Sequence, residues 1–271
     1  MKFDMGRAWS EAVSLLSANK ELLAVIAGIF IFLPNLALAL FVPEAMQGPA
    51  ALDPEDPMAA VQGFYAANGL WFFLVAIVQS IGTLSLLALL HDRRPTVGEA
   101  IRTGLIVLLP YFAAQVLLVV GLAIALGVPV GVAGFLGGTA AAVVLSLLAV
   151  VVAIYVMVKV SLVSPVMVLG NTLNPVRALR DSWQLTKGNS LRLFAFYLLL
   201  LIAIVIAAMV ITMVIGLFVA MLGETTAGLL VGGVLNGILT TIWSVVFACV
   251  LAAVYRQLSG PSTEAVSETF E

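Results

Sequence analysis

The sequence predicts an all-α, polytopic membrane protein: six transmembrane helices in three repeats, each a cytoplasmic interfacial amphipathic helix followed by a transmembrane hairpin. Three observations carry this reading. Apolar runs of 18 or more residues recur along the chain, each near the ~20 residues that cross a ~30 Å hydrocarbon core. All basic residues fall into one set of connections. Short polar-faced segments of related sequence precede alternate runs.

Composition agrees. Of 271 residues 63% are hydrophobic and 10% charged, with mean hydropathy +1.19. Soluble domains carry about 25% charged residues, so this chain has too few to cover a globular surface. Barrel strands would alternate apolar and polar positions, whereas these runs are apolar on every side. The opening MKFDMGRAWSEAVSLLSANK is polar and amphipathic and lacks the apolar core of a cleavable signal. Cys249, the single cysteine, excludes an intramolecular disulfide.

The spans read as 22–42, 70–90, 107–127, 139–160, 191–217 and 228–254, in one membrane domain covering 1–258. Residues 259–271 read as a disordered cytoplasmic tail. Pro34 and Asn35 predict a kink in span one, and Pro110 one at the start of span three. In the connection 43–69, Asp56-Pro57 predicts a short capped helix through MAAVQGFYAA that rests Phe64 and Tyr65 on the outer surface. Segment 128–138 reads as the second outer connection. Lys159 sits at the end of span four, where it is expected to snorkel to the surface. Gly233 and Gly237 give span six a small-residue face for a neighbouring helix or a second copy.

Charge then sets orientation. All twelve basic residues lie at the termini or in segments 91–106 and 161–190, with their flanking span ends. The opposite connections carry Glu44, Asp53, Glu55, Asp56 and Glu224 and no Lys or Arg. Because Lys and Arg near span ends mark the cytoplasmic side, both termini are expected there.

The repeat units are about 4–90, 95–160 and 174–256. Residues 5–23 (MGRAWSEAVSLLSANKELL) and 175–193 (PVRALRDSWQLTKGNSLRL) align at a constant offset, pairing Arg7 with Arg177, Ala8 with Ala178, Asn19 with Asn189 and Leu23 with Leu193. PTVGEAIRTGLIVLLPYF at 95–112 is a weaker third copy. In the last repeat Asn174 reads as an N-cap and Pro175 as the first helical residue. Val176, Leu179 and Trp183 form an apolar stripe flanked by Ala178 and Ser182. Arg177 and Asp181 make an i, i+4 pair, and Gly188 is the left-handed stop. Such a helix lies in the headgroup plane. It serves either as an elbow that positions span five or as a docking surface for headgroups or a partner.

Chemical motifs are missing. There is no HExxH, CxxC, phosphate-binding glycine loop or Gly-x-Ser-x-Gly elbow. Acidic residues are scattered over connections, and the one histidine, His91 beside Asp92, reads as interfacial. No catalytic residue, metal site, cofactor or nucleic-acid partner is expected. The residues expected to meet headgroups or a partner are Arg177, Arg180, Trp183, Lys187, Arg192, Arg7 and Arg102. Asn35, Gln79, Gln115 and Asn236 are uncharged polar residues within spans; they either line an intramembrane cleft or join helices by hydrogen bonds.

The run SPVMVLGNTLNPVRALRDSWQLTKGNSLRLF resembles a signature in the membrane domain of glycerophosphoryl diester phosphodiesterases. It matches at Pro165, Ala178, Leu179, Ser182, Trp183, Leu185, Gly188 and Asn189. The late Tyr255–Leu258 (YRQL) is similar too, and the start resembles stand-alone bacterial members of that family. In the named enzymes, activity belongs to a separate soluble barrel, for which this chain has neither length nor histidines. The resemblance therefore implies a six-span bacterial inner-membrane module that handles or senses lipid. Two functional expectations follow. One is a non-catalytic protein that interacts with lipids, or scaffolds a membrane partner or second copy, through its basic cytoplasmic helices. The other is a transporter or channel for a lipid-like or small neutral solute.

Overall fold

A computed structural model describes residues 2–42, 56–91, 95–222 and 226–260. Among these, every regular element is helical. The helices are α1 (Met5–Ala27), α2 (Leu33–Phe41), α3 (Pro57–Leu89), α4 (Val97–Leu122), α5 (Val128–Val160), α6 (Val163–Val168), α7 (Pro175–Leu185), α8 (Ser190–Leu222) and α9 (Thr226–Ser259). Most of the expected tail, the acidic stretch around Asp53 and Glu224, and Arg93, Arg94 and Asp92 lie outside the described residues.

Among the described residues, five helical stretches are long and apolar enough to cross a membrane: Met5–Phe41, Met58–Leu89, Val97–Val168, Ser190–Leu217 and Leu230–Ser259. The third, of 72 residues, is far longer than one crossing needs. Gly138 divides it, with φ +73° and ψ −174° inside α5. A Cβ on Gly134 would lie 3.5 Å from the Ala142 Cβ, whereas eight residues along a straight helix are about 12 Å apart. The chain therefore reverses at Gly138, a backbone conformation that glycine adopts without steric cost.

Several expectations change in detail. Segment 128–138 is not a loop: the helix runs on to Gly138 after a π-helical turn at Ala123–Gly127. That wider turn precedes Pro129, whose lack of an N–H would leave the Ala125 carbonyl without its donor in an α-helical ladder. The same device serves Pro34. A π-turn spans Gly28–Phe32 and the Leu33 N–H bonds to the Gly28 carbonyl, so span one adjusts just before its proline. Pro110, by contrast, sits inside α4 without a break. The short outer helix is the first turns of α3. Asp56 Oδ1 does cap it, accepting from the Ala59 N–H at 3.0 Å, but the helix continues to Leu89. Phe64 is buried beside Tyr65 and Phe72 rather than lying on the surface.

The three expected repeat units do not share one helical plan. Ala8 and Ala178 are both fully buried, as are Leu23 and Leu193. Yet the first two polar-faced segments run without interruption into their spans, and only the third is a separate helix. Gly188, at φ +81°, breaks the chain between α7 and α8. Its counterpart at the repeat offset is Ala18, which continues α1. In the second copy Thr96 and Glu99 form a reciprocal capping box at the start of α4. The Thr96 N–H donates to Glu99 Oε2 at 2.8 Å and the Glu99 N–H to Thr96 Oγ1 at 3.3 Å. The Thr96 N–H first, and then the Thr96 hydroxyl, which donates to the same Glu99 Oε2 at 2.9 Å, hold the Glu99 carboxyl below its ordinary range.

The helices sort into two compact units. One comprises Val13–Gly104 and Leu200–Cys249. Within it the small residues of α9 face α2 and the π-turn before it: a Cβ on Gly237 would meet the Phe32 ring at 3.2 Å, and one on Gly233 the Ala39 Cβ at 2.9 Å. The neighbour for which this glycine pair makes room is thus span one of the same chain. The other unit comprises the described parts of Met1–Ala12, Leu105–Leu199 and Val250–Glu271. Phe3 anchors its N-terminal segment. The Phe3 N–H donates to Asn189 Oδ1 at 2.9 Å, and its ring packs edge-on against Phe196 at 5.5 Å. Arg256 and Glu11 pair at 3.8 Å.

Candidate functional site

The basic helix α7 stands in this second unit, and its local sequence explains its form. Asn174 Oδ1 accepts from the Arg177 N–H at 3.0 Å, and Pro175 occupies the first turn. Arg177 Nε approaches Asp181 Oδ2 at 3.5 Å. This pair is solvent-exposed and stabilises weakly.

The inward face differs from the expected stripe. Val176 is 62% exposed and Trp183 40% exposed, whereas Ala178, Ser182 and Thr186 are completely buried. Small residues at i, i+4 and i+8 let α7 approach the α5–α6 junction closely, and two hydroxyls satisfy the backbone there. Ser182 Oγ donates to the Lys159 carbonyl at 2.8 Å and accepts from the Leu162 N–H at 3.2 Å. Thr186 Oγ1 lies 3.3 Å from the same carbonyl. The helix end that α5 leaves open is closed by side chains of α7.

Lys159 does not snorkel. Its side chain is 3% exposed. The ammonium sits 5.6 Å from the Tyr155 ring centre and 5.4 Å from that of Trp183, within cation–π range of both. The two rings meet edge to face at 5.9 Å. Trp183 therefore covers a buried cation with one face while part of it remains exposed.

Two cavities flank α7, each of about 540 Å³. One is an open apolar groove walled by Leu117, Leu118, Gly121 and Leu122 of α4, Val156 and Val160 of α5, and Leu179 and Trp183 of α7; Arg180 and Gln184 are its polar members. The other is polar, with Arg177, Asp181, Gln184, Lys187 and Thr172 facing Tyr255 and Ser259 at the end of α9. Gly170 is required beside this second cavity. A Cβ there would lie 2.6 Å from the Val166 carbonyl oxygen and 2.8 Å from the Tyr255 hydroxyl. The two parts of the sequence signature, the α6–α7 stretch and YRQL, thus meet in one unit.

The expected contact residues are only partly gathered. Arg177, Arg180, Trp183 and Lys187 lie on α7 and its C-terminal turn, and all are exposed. Arg192 follows in α8, its Nη1 3.4 Å from the Phe3 carbonyl oxygen. Arg7, exposed near the start of α1, belongs to the same unit, whereas Arg102 is on the other. Of the polar span residues, Asn35, Gln79 and Asn236 belong to one unit and Gln115 to the other. The side-chain bonds of Asn35, Gln115 and Asn236 stay within their own spans. Asn35 Nδ2 donates to the Ile31 carbonyl at 2.8 Å, Gln115 Nε2 to the Tyr111 hydroxyl at 2.7 Å, and Asn236 Oδ1 accepts from Thr240 Oγ1 at 3.3 Å. None of the four lines either cavity. Among the described residues no cluster of His, Cys, Asp or Glu has the makings of a metal site. Sequence reasoning missed Lys159 as a buried cation and the Ser182–Thr186 closure; small residues four apart on α7 were the available signal.

Long apolar helices with outward-facing Val, Leu and Ile define a helical membrane protein. The chain belongs to the family described as a domain of unknown function (DUF7847), which it matches over residues 3–258. That match carries no activity and does not link the chain to glycerophosphoryl diester phosphodiesterases. No curated protein and no solved structure matches the chain.

Proposed function

We propose that this chain is a non-catalytic, six-span protein of a bacterial inner membrane, with both termini cytoplasmic, that binds anionic lipid headgroups through the outer face of α7. One observation carries the reading. The helix is fixed on its inner side by Ala178, Ser182 and Thr186, while Arg177, Arg180 and Lys187 stand exposed beside a part-exposed Trp183. A helix needed only as an elbow has no use for three outward cations. Anionic lipid attracts each such charge by about 1 kcal/mol near the surface. The one-sided distribution of Lys and Arg supports the orientation, and the reversal at Gly138 supports the sixth span.

The test is native mass spectrometry of detergent-purified protein with phosphatidylglycerol and phosphatidylcholine. Wild type retains the anionic lipid preferentially, and Arg177→Ala/Arg180→Ala loses that preference. Equal retention of phosphatidylglycerol by the double variant would overturn the reading.

A further inference from the structure

We infer that the groove between α4, α5 and α7 is a site for one anionic phospholipid, its phosphate on Arg180 and an acyl chain along the leucine and valine walls. This rests on the headgroup reading above and adds to it a fixed place and a single occupant. The groove's volume of about 540 Å³ lies within the ~300–1,000 Å³ typical of ligand sites. Its lining divides as an amphiphile does. Leu117, Leu118, Leu122, Val156 and Val160 offer only hydrocarbon, and the polar groups, Arg180 and Gln184, stand one helical turn apart on α7.

Charge complementarity selects the head. No acidic residue lines the groove among the described residues. Asp181, next in sequence, is engaged by Arg177 on the other side of the helix. Arg180 is left as a cation without a carboxylate partner among the described residues, and its planar fork suits a phosphate. The buried Lys159 ammonium behind Trp183 adds positive potential to the same end. The polar cavity is the weaker candidate, because Asp181 lies within it beside Arg177 and Lys187.

The test uses the full chain in detergent, titrated with dioleoylphosphatidylglycerol or dioleoylphosphatidylcholine and read by native mass spectrometry. A Cβ at Gly121 would meet no atom within 4 Å, and Gly121 lines the groove, so Gly121→Trp is chosen to occupy it; Leu122→Trp, at another lining residue, is a second filler if the first variant does not fold. Wild type is expected to bind one phosphatidylglycerol more tightly than any further copy. Either filler and Arg180→Gln should each weaken that first copy about tenfold or more, while Lys187→Ala changes it less than about threefold. A phosphatidylglycerol-preferring tight copy that survives both fillers, or Arg180→Gln, overturns the groove site and leaves surface headgroup binding standing. A wild type without preference for phosphatidylglycerol overturns both.

Discussion

Replacing Ser182 by alanine probes how α7 is held, and the structure sets the size of the effect. The hydroxyl does two things: it donates to the Lys159 carbonyl at 2.8 Å and accepts from the Leu162 N–H at 3.2 Å. In Ser182→Ala the carbonyl keeps Thr186 Oγ1 at 3.3 Å, so its loss is partial. The Leu162 amide has no comparable substitute. It belongs to a fully buried residue between α5 and α6, and a buried donor left unsatisfied costs about 1–3 kcal/mol. A destabilisation of about 2 kcal/mol is therefore expected, against about 0.5–1 kcal/mol for Thr186→Val, which removes one shared donor. The double variant should cost more than the sum, because Lys159 then loses both hydroxyls. The assay is reversible unfolding by sodium dodecyl sulfate in mixed micelles, followed by tryptophan fluorescence. A Ser182→Ala protein within about 0.5 kcal/mol of wild type, or strict additivity in the double variant, would refute the closure of α5 by α7.

Three further outcomes follow from the same geometry. Gly188→Ala places a Cβ at φ +81° and should destabilise by about 1–2 kcal/mol in the same assay, while Gly6→Ala, where φ is not positive and the nearest atom is 3.5 Å away, should be neutral within about 0.5 kcal/mol; equal effects would remove the left-handed turn as the reason α7 is separate. Gly170→Ala brings a Cβ against the fixed Val166 carbonyl and should cost about 1–3 kcal/mol, a loss that Tyr255→Phe does not fully relieve because one of the two contacts is backbone. The Glu99 carboxyl is held low by the Thr96 amide and hydroxyl. Its contribution to the first turn of α4 is complete above the ordinary carboxyl value and is lost as pH falls through the lowered one. A carboxyl carbon titration should place Glu99 below 4.5, its ordinary value, and Thr96→Val should raise it; a midpoint unmoved by Thr96→Val would count against the capping box.

The apolar runs, the caps at Asp56 and Asn174 and the break at Gly188 were legible because each is a local matter of hydropathy or backbone chemistry. The limits of that legibility are equally physical. Whether a polar-faced helical start bends at the interface or runs straight into a span turns on one residue, Ala18 against Gly188, and elsewhere on no marked residue at all. The sequence GVPVGVAGFLGG reads as a loop because a proline and five glycines crowd it, yet a π-turn before Pro129 absorbs the defect and leaves Gly138 as the reversal. Ala178 and Ser182 entered the stripe on α7 only as its flanks, and Thr186 not at all, because apolar periodicity ranks Val176 and Trp183 above them. Close packing inverts that order. The groove was not legible: its walls come from three helices distant in sequence, and only the fold aligns Leu118 and Leu122 with Val156 and Val160. Lys159 was misplaced for the same reason, since the rings that cover it lie on two different helices.

The central claim, that the outer face of α7 recognises anionic lipid, is tested most directly by electron spin resonance of spin-labelled phosphatidylglycerol and phosphatidylcholine in proteoliposomes. Wild type should immobilise phosphatidylglycerol in excess over phosphatidylcholine, and the excess should shrink as salt shortens the Debye length from ~10 Å at 0.1 M to ~3 Å at 1 M. It should also shrink at low salt in Arg177→Ala/Arg180→Ala. Equal immobilisation of the two lipids by wild type at low salt, or an excess untouched by the double substitution, would contradict it.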